Sequence, residues 1–175
     1  MNKEFFMKRI IILFLIIAGF AMNVSAQGLK LKSIAPQIGV LFPEDPFKTG
    51  FEVGAIANMG EFYKNIGLYP IVNYWTTGGN VYFTNFQLGA DIHYKTEDLE
   101  GFFAGLGLSF NFLSLKTEVL GVKYSDSEFD IGLGMFVGYE FPIEDYTGFV
   151  KGKFNLITDV NTFELLVGMY FDLGN

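Results

Sequence analysis

The chain contains no cysteine and one histidine, and only 18% of its 175 residues are charged. The absence of cysteine excludes a small fold held together by disulfides. The charged fraction is below the roughly 25% that is usual for soluble domains. A formal net charge of −7 excludes an electrostatic nucleic-acid binder. Half of the residues are hydrophobic and 21 are phenylalanine, so intrinsic disorder is excluded as well.

The amino-terminal segment has the pattern of a secretory signal peptide. Its first nine residues include three basic side chains and one acidic one, an apolar run of 13 residues follows at 10–22, and small residues end the segment at Ala26. The apolar run is shorter than the roughly 18 residues that a spanning helix needs, which argues against a permanent membrane anchor. We therefore predict a signal peptide at 1–26 and one exported domain at 27–175. The lack of cysteine excludes a lipoprotein anchor.

Removal of this leader changes the charge of the remaining chain. The exported domain has nine lysines and 18 acidic residues, a net charge of −9, and no arginine. Without a guanidinium group, bidentate recognition of phosphate or carboxylate is excluded. We therefore expect neither an anionic ligand nor a nucleic-acid partner.

Beyond Gln27 the hydrophobic pattern alternates with a period of two, which predicts β-strands. Most alternating segments exceed the five or six residues typical of soluble strands and match what a tilted strand needs to cross a bilayer. Pro36 and Pro70 lie within two of them and are expected at bulges or strand starts, because proline removes a ladder hydrogen bond. Eight strands are predicted: 33–42, 51–59, 66–75, 81–95, 102–115, 129–141, 148–157 and 162–173.

The two faces of these strands differ in composition. Within 82–94, 129–141 and 163–173, none of the 20 side chains on one face is charged, whereas five of the 17 on the other face are acidic and five are glycine. A large apolar face opposite a face of small and polar residues is typical of a transmembrane β-barrel with its apolar side toward lipid. The side chains predicted to face lipid include Phe86, Leu88, Ile131, Leu133, Met135, Val137, Leu165, Val167, Met169 and Phe171.

Closure of the sheet follows from the bilayer, which cannot satisfy the hydrogen bonds of a free strand edge. We therefore predict an all-β fold, an eight-stranded antiparallel up-and-down transmembrane β-barrel. Tyr82 and Tyr94 end one outward face and are placed to lie at the two membrane interfaces. With the amino terminus on the periplasmic side, the short turns are periplasmic and the longest outward loop falls at 116–128. A soluble, lipocalin-like barrel is the alternative architecture.

Charged residues on the inward face predict a polar network in the lumen. An eight-stranded barrel is just wide enough for side chains to fill it, and buried charges are tolerated only when they are paired. If the turn after the sixth strand centres near Asp145, Glu140 and Lys151 lie almost opposite each other and are the predicted ion pair. The network is predicted to comprise Glu52, Asp91, His93, Asp130, Glu140, Lys151, Lys153 and Glu164.

The leader, the eight segments and the last strand resemble the small outer-membrane β-barrel families of Gram-negative bacteria, such as OmpX, the OmpA transmembrane domain and OmpW. Gly168, Phe171 and Leu173 match the spacing in the last strand of such proteins, whereas Leu166 stands where a polar residue is usual and the chain continues to Asn175. The resemblance implies a monomer in the outer membrane of a Gram-negative bacterium. Its implied partners are outer-membrane lipid, lipopolysaccharide and the outer-membrane assembly machinery.

No arrangement of residues predicts catalysis, a cofactor or a metal site. The single histidine, His93, is expected to be a packed lumen side chain. Acidic residues alternate at 126–130 as in a calcium loop, but Ile131 and Val137 replace the required glycine and glutamate, which leaves only loose cation binding at the surface. The glycines at 132–138 follow a strand period and do not form a phosphate loop.

These features predict a non-enzymatic integral outer-membrane protein with a structural role in the envelope or an interaction role at the cell surface. One alternative is an OmpW-like conduit or binder for small hydrophobic molecules, which would need an apolar pocket among Phe83, Phe136, Leu166 and Tyr170. A second alternative, an enzyme that modifies lipid A, is disfavoured because the last strand lacks the serine and histidine of the deacylase arrangement.

Overall fold

A computed structural model describes residues 29–45, 47–78, 81–96, 98–119, 122–157 and 160–174. The predicted signal peptide lies outside the described residues. No helix in these ranges has the length and apolarity needed to cross a membrane. The strands belong to one structural unit, Leu31–Asn175.

The described backbone forms a closed antiparallel sheet. Its strands are β1 Ser33–Pro43, β2 Lys48–Asn58, β3 Glu61–Tyr63, β4 Ile66–Gly78, β5 Val81–Lys95, β6 Phe102–Val119, β7 Val122–Ile143, β8 Tyr146–Leu156 and β9 Thr162–Asp172. The sheet closes because β1 pairs with both β2 and β9, and β2 also pairs with β4. Every long strand therefore has a neighbour on each side. The predicted fold class is confirmed: eight strands form the barrel wall.

The short strand β3 continues β2 beyond a bulge. Leu68 exchanges hydrogen bonds with the backbone of Met59 and Gly60, and the β3–β4 pairing that follows contains a register shift. Gly60 has a φ of +82°, the left-handed conformation that glycine adopts at such bulges. A tight turn then connects β3 to β4 through Asn65, which has a φ of +62°.

The two prolines occupy gaps in the backbone ladder. Pro70 pairs with β5, but it lies just past the last β2–β4 pair, Ile56–Ile71, next to the bulge. Pro36 lies inside β1, whose ladder with β9 has no pairs at Ala35 and Pro36 and resumes at Gln37 in the same register. The expectation of a bulge therefore fits Pro70, whereas Pro36 is accommodated without a register shift.

The two ends of the barrel differ. The turn end carries the short β3–β4, β5–β6 and β7–β8 connections together with the first residue of β1 and the last residue of β9. The loop end carries the other connections, including the β6–β7 hairpin. The predicted loop at 116–128 is wrong, because β6 and β7 stay paired as far as Val119 and Val122. The polar residues there still form a regular backbone ladder.

The outer surface is apolar between two bands of exposed aromatic rings. Near the turn end the band contains Tyr63, Tyr94, Phe102, Tyr139, Phe141, Tyr146 and Phe171. Near the loop end it contains Phe42, Phe51, Tyr74, Phe86, Phe129, Phe154 and Phe163. Large aliphatic side chains such as Leu106 and Leu133 are exposed between the bands. Exposed aliphatic residues flanked by aromatic girdles are the outer surface expected of a transmembrane barrel. The side chain of Tyr82 lies outside the described residues.

Glycine on the lumen face makes room for buried rings. In each of three cross-strand pairs at the turn end, a phenylalanine side chain occupies the space where the facing glycine lacks a side chain. These pairs are Phe103 with Gly138, Phe136 with Gly105, and Phe149 with Gly168. The high glycine content therefore reflects the packing of large residues inside a narrow barrel.

Replacement of Gly138 by alanine tests this packing. The new methyl group would overlap the Phe103 ring, so we expect the free energy of unfolding to fall by about 1–3 kcal/mol. Gly152→Ala is the matched control, because a Cβ atom there has no neighbour closer than 3.7 Å. Urea titrations of both variants in detergent micelles measure the difference. Equal effects of the two substitutions would contradict the packing described here.

Candidate functional site

Five charged side chains from four strands meet in the middle of the lumen. We call this group the lumen charge cluster; it consists of Glu52 on β2, Asp91 on β5, Lys151 and Lys153 on β8, and Glu164 on β9. The period of two on each strand turns these side chains inward. Closure brings β8 and β9 across the lumen from β5, and only β4 separates β5 from β2. None of the five residues is more than 3% exposed.

Asp91 is the centre of the lumen charge cluster. Its Oδ2 atom accepts a hydrogen bond of 3.1 Å from Nζ of Lys151, and its Oδ1 atom accepts one of 3.0 Å from Nζ of Lys153. Lys151 and Lys153 are two residues apart on β8 and point to the same face, so one carboxylate from the opposite wall binds both ammonium groups. Such charge-assisted hydrogen bonds are stronger than neutral ones.

Glycine also provides the space for this ion triad. Gly107 on β6 faces Gly134 on β7 in the ladder. A Cβ atom at Gly107 would overlap Oδ1 of Asp91, and one at Gly134 would lie 2.6 Å from Cε of Lys153. The glycine pair therefore leaves the space in which Lys153 reaches Asp91.

The two glutamates of the lumen charge cluster have fewer partners. Oε1 of Glu164 accepts hydrogen bonds from Nδ2 of Asn155 at 2.6 Å and from Oγ1 of Thr162 at 3.1 Å. Oε2 of Glu164 and both carboxyl oxygens of Glu52 are buried without a hydrogen-bond partner among the described residues. The carboxyl groups of Glu52 and Glu164 are neighbours.

A belt of amide side chains extends around the lumen from β1 to β6, and it was not singled out from the sequence. Gln37 donates to Asn73 at 2.7 Å, Asn73 donates to Gln87 at 3.0 Å, and Gln87 and Asn85 both donate to Oδ1 of Asn111, at 3.2 and 2.8 Å. Asn85 and Gln87 lie an even number of residues from Asp91 on β5 and therefore share its inward face. This spacing is the feature of the sequence that predicts their position in the lumen. The belt satisfies polar groups that burial would otherwise destabilise.

Apolar side chains close the lumen on both sides of this polar layer. At the turn end the buried cluster contains Ala35, Ile56, Tyr69, Ile71, Phe103, Phe136, Phe149 and Tyr170. At the loop end it contains Leu41, Trp75, Phe83, Leu113, Ile157 and Val160. Side chains therefore occupy the lumen in three layers, apolar, polar and apolar.

His93 belongs to the aromatic layer at the turn end and makes no polar contact with the lumen charge cluster. Its ring stacks between Tyr69, at a centroid distance of 3.8 Å, and Phe103, at 4.8 Å. Neither ring nitrogen has a hydrogen-bond partner among the described residues. This environment is that of a packed aromatic ring and gives the imidazole no nucleophile to activate.

Glu140 and Asp130 lie apart from the lumen charge cluster. Glu140 accepts two hydrogen bonds, of 2.8 and 2.7 Å, from Nζ of Lys95, and both side chains are partly exposed at the turn end. The predicted pair of Glu140 with Lys151 is therefore wrong: the tight β7–β8 turn places Phe149 opposite Glu140, and Lys151 binds Asp91. Asp130 is half-buried at the loop end, beyond the last β7–β8 pair.

The side chains predicted to face lipid all lie on the outer surface. Eight are exposed, and Leu88 and Met169 are half-buried.

No group of three or more histidine, aspartate or glutamate side chains in the described ranges is arranged to hold a metal ion. Phe83 lies in the loop-end layer and Phe136 and Tyr170 in the turn-end layer, so the apolar residues considered for a conduit are separated along the lumen.

Replacement of Asp91 by asparagine tests the role of the ion triad. Two buried ammonium groups would lose their shared carboxylate, so we expect the free energy of unfolding to fall by about 3–5 kcal/mol. Glu140→Gln is the control, because the pair with Lys95 is partly exposed and we expect a loss of about 0–1 kcal/mol. Urea titration of both variants measures this contrast. If Asp91→Asn lowers the free energy of unfolding no more than Glu140→Gln does, the ion triad does not stabilise the barrel as expected here.

Comparisons with known proteins identify the fold. No family model matches the chain, and no curated protein matches it in sequence. Solved structures do match it. Neisserial surface protein A has a TM-score of 0.63 and 14% identity, with 81% of this chain and 96% of that chain covered. Ail of Yersinia pestis has a TM-score of 0.60 and 14% identity, with coverages of 83% and 100%.

The amino-terminal β-barrel domain of OprF from Pseudomonas aeruginosa gives a similar result. Its TM-score is 0.59 at 11% identity, with 81% of this chain and 98% of that domain covered. At these identities the similarity is one of architecture and carries no residue-by-residue correspondence. The chain has the fold of the small eight-stranded transmembrane β-barrels of the bacterial outer membrane.

Proposed function

We propose that this chain is a non-enzymatic integral outer-membrane protein whose barrel contributes to the envelope and presents a hairpin for contacts at the cell surface. The observation that carries the proposal is the three-layered filling of the lumen. Trp75 near one end and Phe149 near the other are at most 1% exposed, and charged side chains are packed between them. A lumen filled in this way supports a structural or display role over conduction.

The β6–β7 hairpin supports the interaction role. The β7–β8 ladder ends at Leu133 and Leu156, so the segment 122–132 of β7 pairs with β6 alone among the described residues. This part of the hairpin therefore extends past the end of β8. A strand that forms a ladder on one side only can pair with an extended segment of another protein on its other side. Asp126, Ser127 and Glu128 on this segment are exposed.

The two alternative functions have less support. Of the residues considered for a hydrophobic conduit, Phe83 is buried in the loop-end layer, whereas Phe136 and Tyr170 are buried in the turn-end layer, beyond the polar layer. His93, the residue on which lipid A hydrolysis would depend, is stacked between aromatic rings.

A planar-bilayer recording tests the filled lumen. We expect purified, folded protein to give no steady open-channel current, because buried side chains are packed in the lumen at three levels. A general porin in the same bilayer serves as the positive control for detection. Steady current from this chain at the same protein density would overturn the proposal of a structural barrel.

Epitope insertion tests the surface role. A short tag inserted between the end of β6 at Val119 and the start of β7 at Val122 is expected to bind antibody on intact cells. The same tag between Glu144 and Asp145, in the β7–β8 turn, is the matched control and is expected to bind only after the outer membrane is permeabilised. Labelling of the second tag alone on intact cells would show the opposite orientation, with the hairpin on the periplasmic side, and would contradict the surface role.

A further inference from the structure

The lumen charge cluster contains more carboxyl groups than ammonium groups. Glu52, Asp91 and Glu164 provide three carboxyls, whereas Lys151 and Lys153 provide two ammonium groups. Both ammonium groups donate their hydrogen bonds to Asp91. If all five groups were ionised, the buried cluster would carry one excess negative charge. An uncompensated charge in such an environment is strongly destabilising.

The hydrogen-bond pattern assigns the excess negative charge to Glu52 and Glu164. Both oxygens of Glu52 and Oε2 of Glu164 are buried and have no donor among the described residues. The strand between them is β1, where Gly39 faces Glu52 and Leu41 faces Glu164 in the ladders. The two carboxyl groups, on the strands that flank β1, are neighbours in the lumen. Two ionised carboxylates can only accept hydrogen bonds, so neither could satisfy the other.

We propose that Glu52 and Glu164 share one proton in the folded barrel, so that their carboxyl groups form a buried proton-binding site. The O–H group of one carboxyl donates to an unpartnered oxygen of the other. This proton makes the lumen charge cluster neutral and supplies the missing donor. The shared proton is taken up from water when the barrel folds and is released to water when the barrel unfolds.

The other groups that face the pair do not provide an equivalent site for this proton. Asp91 on β5 accepts hydrogen bonds from both lysines of β8, an arrangement that favours its ionised form. His93 on β5 stacks on rings and has no acceptor at either nitrogen. The side chains that donate hydrogen bonds to Glu164, Asn155 on β8 and Thr162 on β9, are neutral.

The shared proton makes the stability of the barrel depend on pH. Above about pH 6 both glutamates are ionised in the unfolded chain, so the folded state binds one proton more than the unfolded state. Stability therefore falls as the pH rises. The unfolding equilibrium constant of the wild type is expected to increase about tenfold per pH unit relative to that of a Glu52→Gln variant.

The test combines infrared spectroscopy with unfolding at several pH values. Folded wild-type protein at neutral pH is expected to show the C=O stretching band of a protonated carboxylic acid, which shifts in D2O. Glu52→Gln and Glu164→Gln should each abolish this band and remove the tenfold pH slope, because the amide supplies the donor without a bound proton. Asp145→Asn, in the exposed β7–β8 turn, is the control and should leave both the band and the slope unchanged.

The infrared measurement on the wild type alone decides the question if a variant fails to fold. Absence of the carboxylic-acid band from folded wild-type protein would overturn the proposal. A band that survives both glutamine substitutions would also overturn it, because the proton would then lie elsewhere. A band and pH slope that are lost together in either variant would establish the Glu52–Glu164 site.

Discussion

The hydrogen bonds between β1 and β9 are the interaction on which the rest of this structure depends. The hydrocarbon of a bilayer offers no partner to a free N–H or C=O group, so a sheet that crosses it must join its first strand to its last. Here β1 pairs with β9 from Ser33 to Pro43, with a gap only at Ala35 and Pro36. The tight turns and the bulge at Gly60 are local adjustments that keep the remaining neighbours in register around the closed wall.

Closure with only eight strands determines what the interior can contain. The lumen is narrow enough for side chains to fill it, and the same constraint explains why glycine and phenylalanine are both abundant. Glycine on the lumen face leaves space that a ring, a lysine chain or a carboxylate from another strand then occupies. The charges of Asp91, Lys151 and Lys153 are tolerable because they are paired, and the apolar layers separate them from both ends of the barrel.

Much of this architecture could be predicted from the alternation of residue types. The bounds of β5 are those predicted, because hydrophobic contrast between its two faces continues along its whole length. The β6–β7 hairpin was missed because polar residues at 116–128 carry no such contrast, although their backbones pair. The partner of Lys151 could not be predicted for two reasons. A shift of one residue in the β7–β8 pairing changes which side chain faces Glu140, and Asp91 comes near Lys151 only because the closed barrel places β5 across the lumen from β8. The amide belt likewise joins residues that meet only after the barrel closes.

Amide hydrogen exchange in lipid nanodiscs tests the closed barrel most directly. We expect the amide groups of β1 and β9 that face each other to be protected as strongly as those between β5 and β6, in the middle of the sheet. Exchange at the β1–β9 seam as fast as in the connecting loops, with β5 and β6 still protected, would mean an open sheet and would contradict the account.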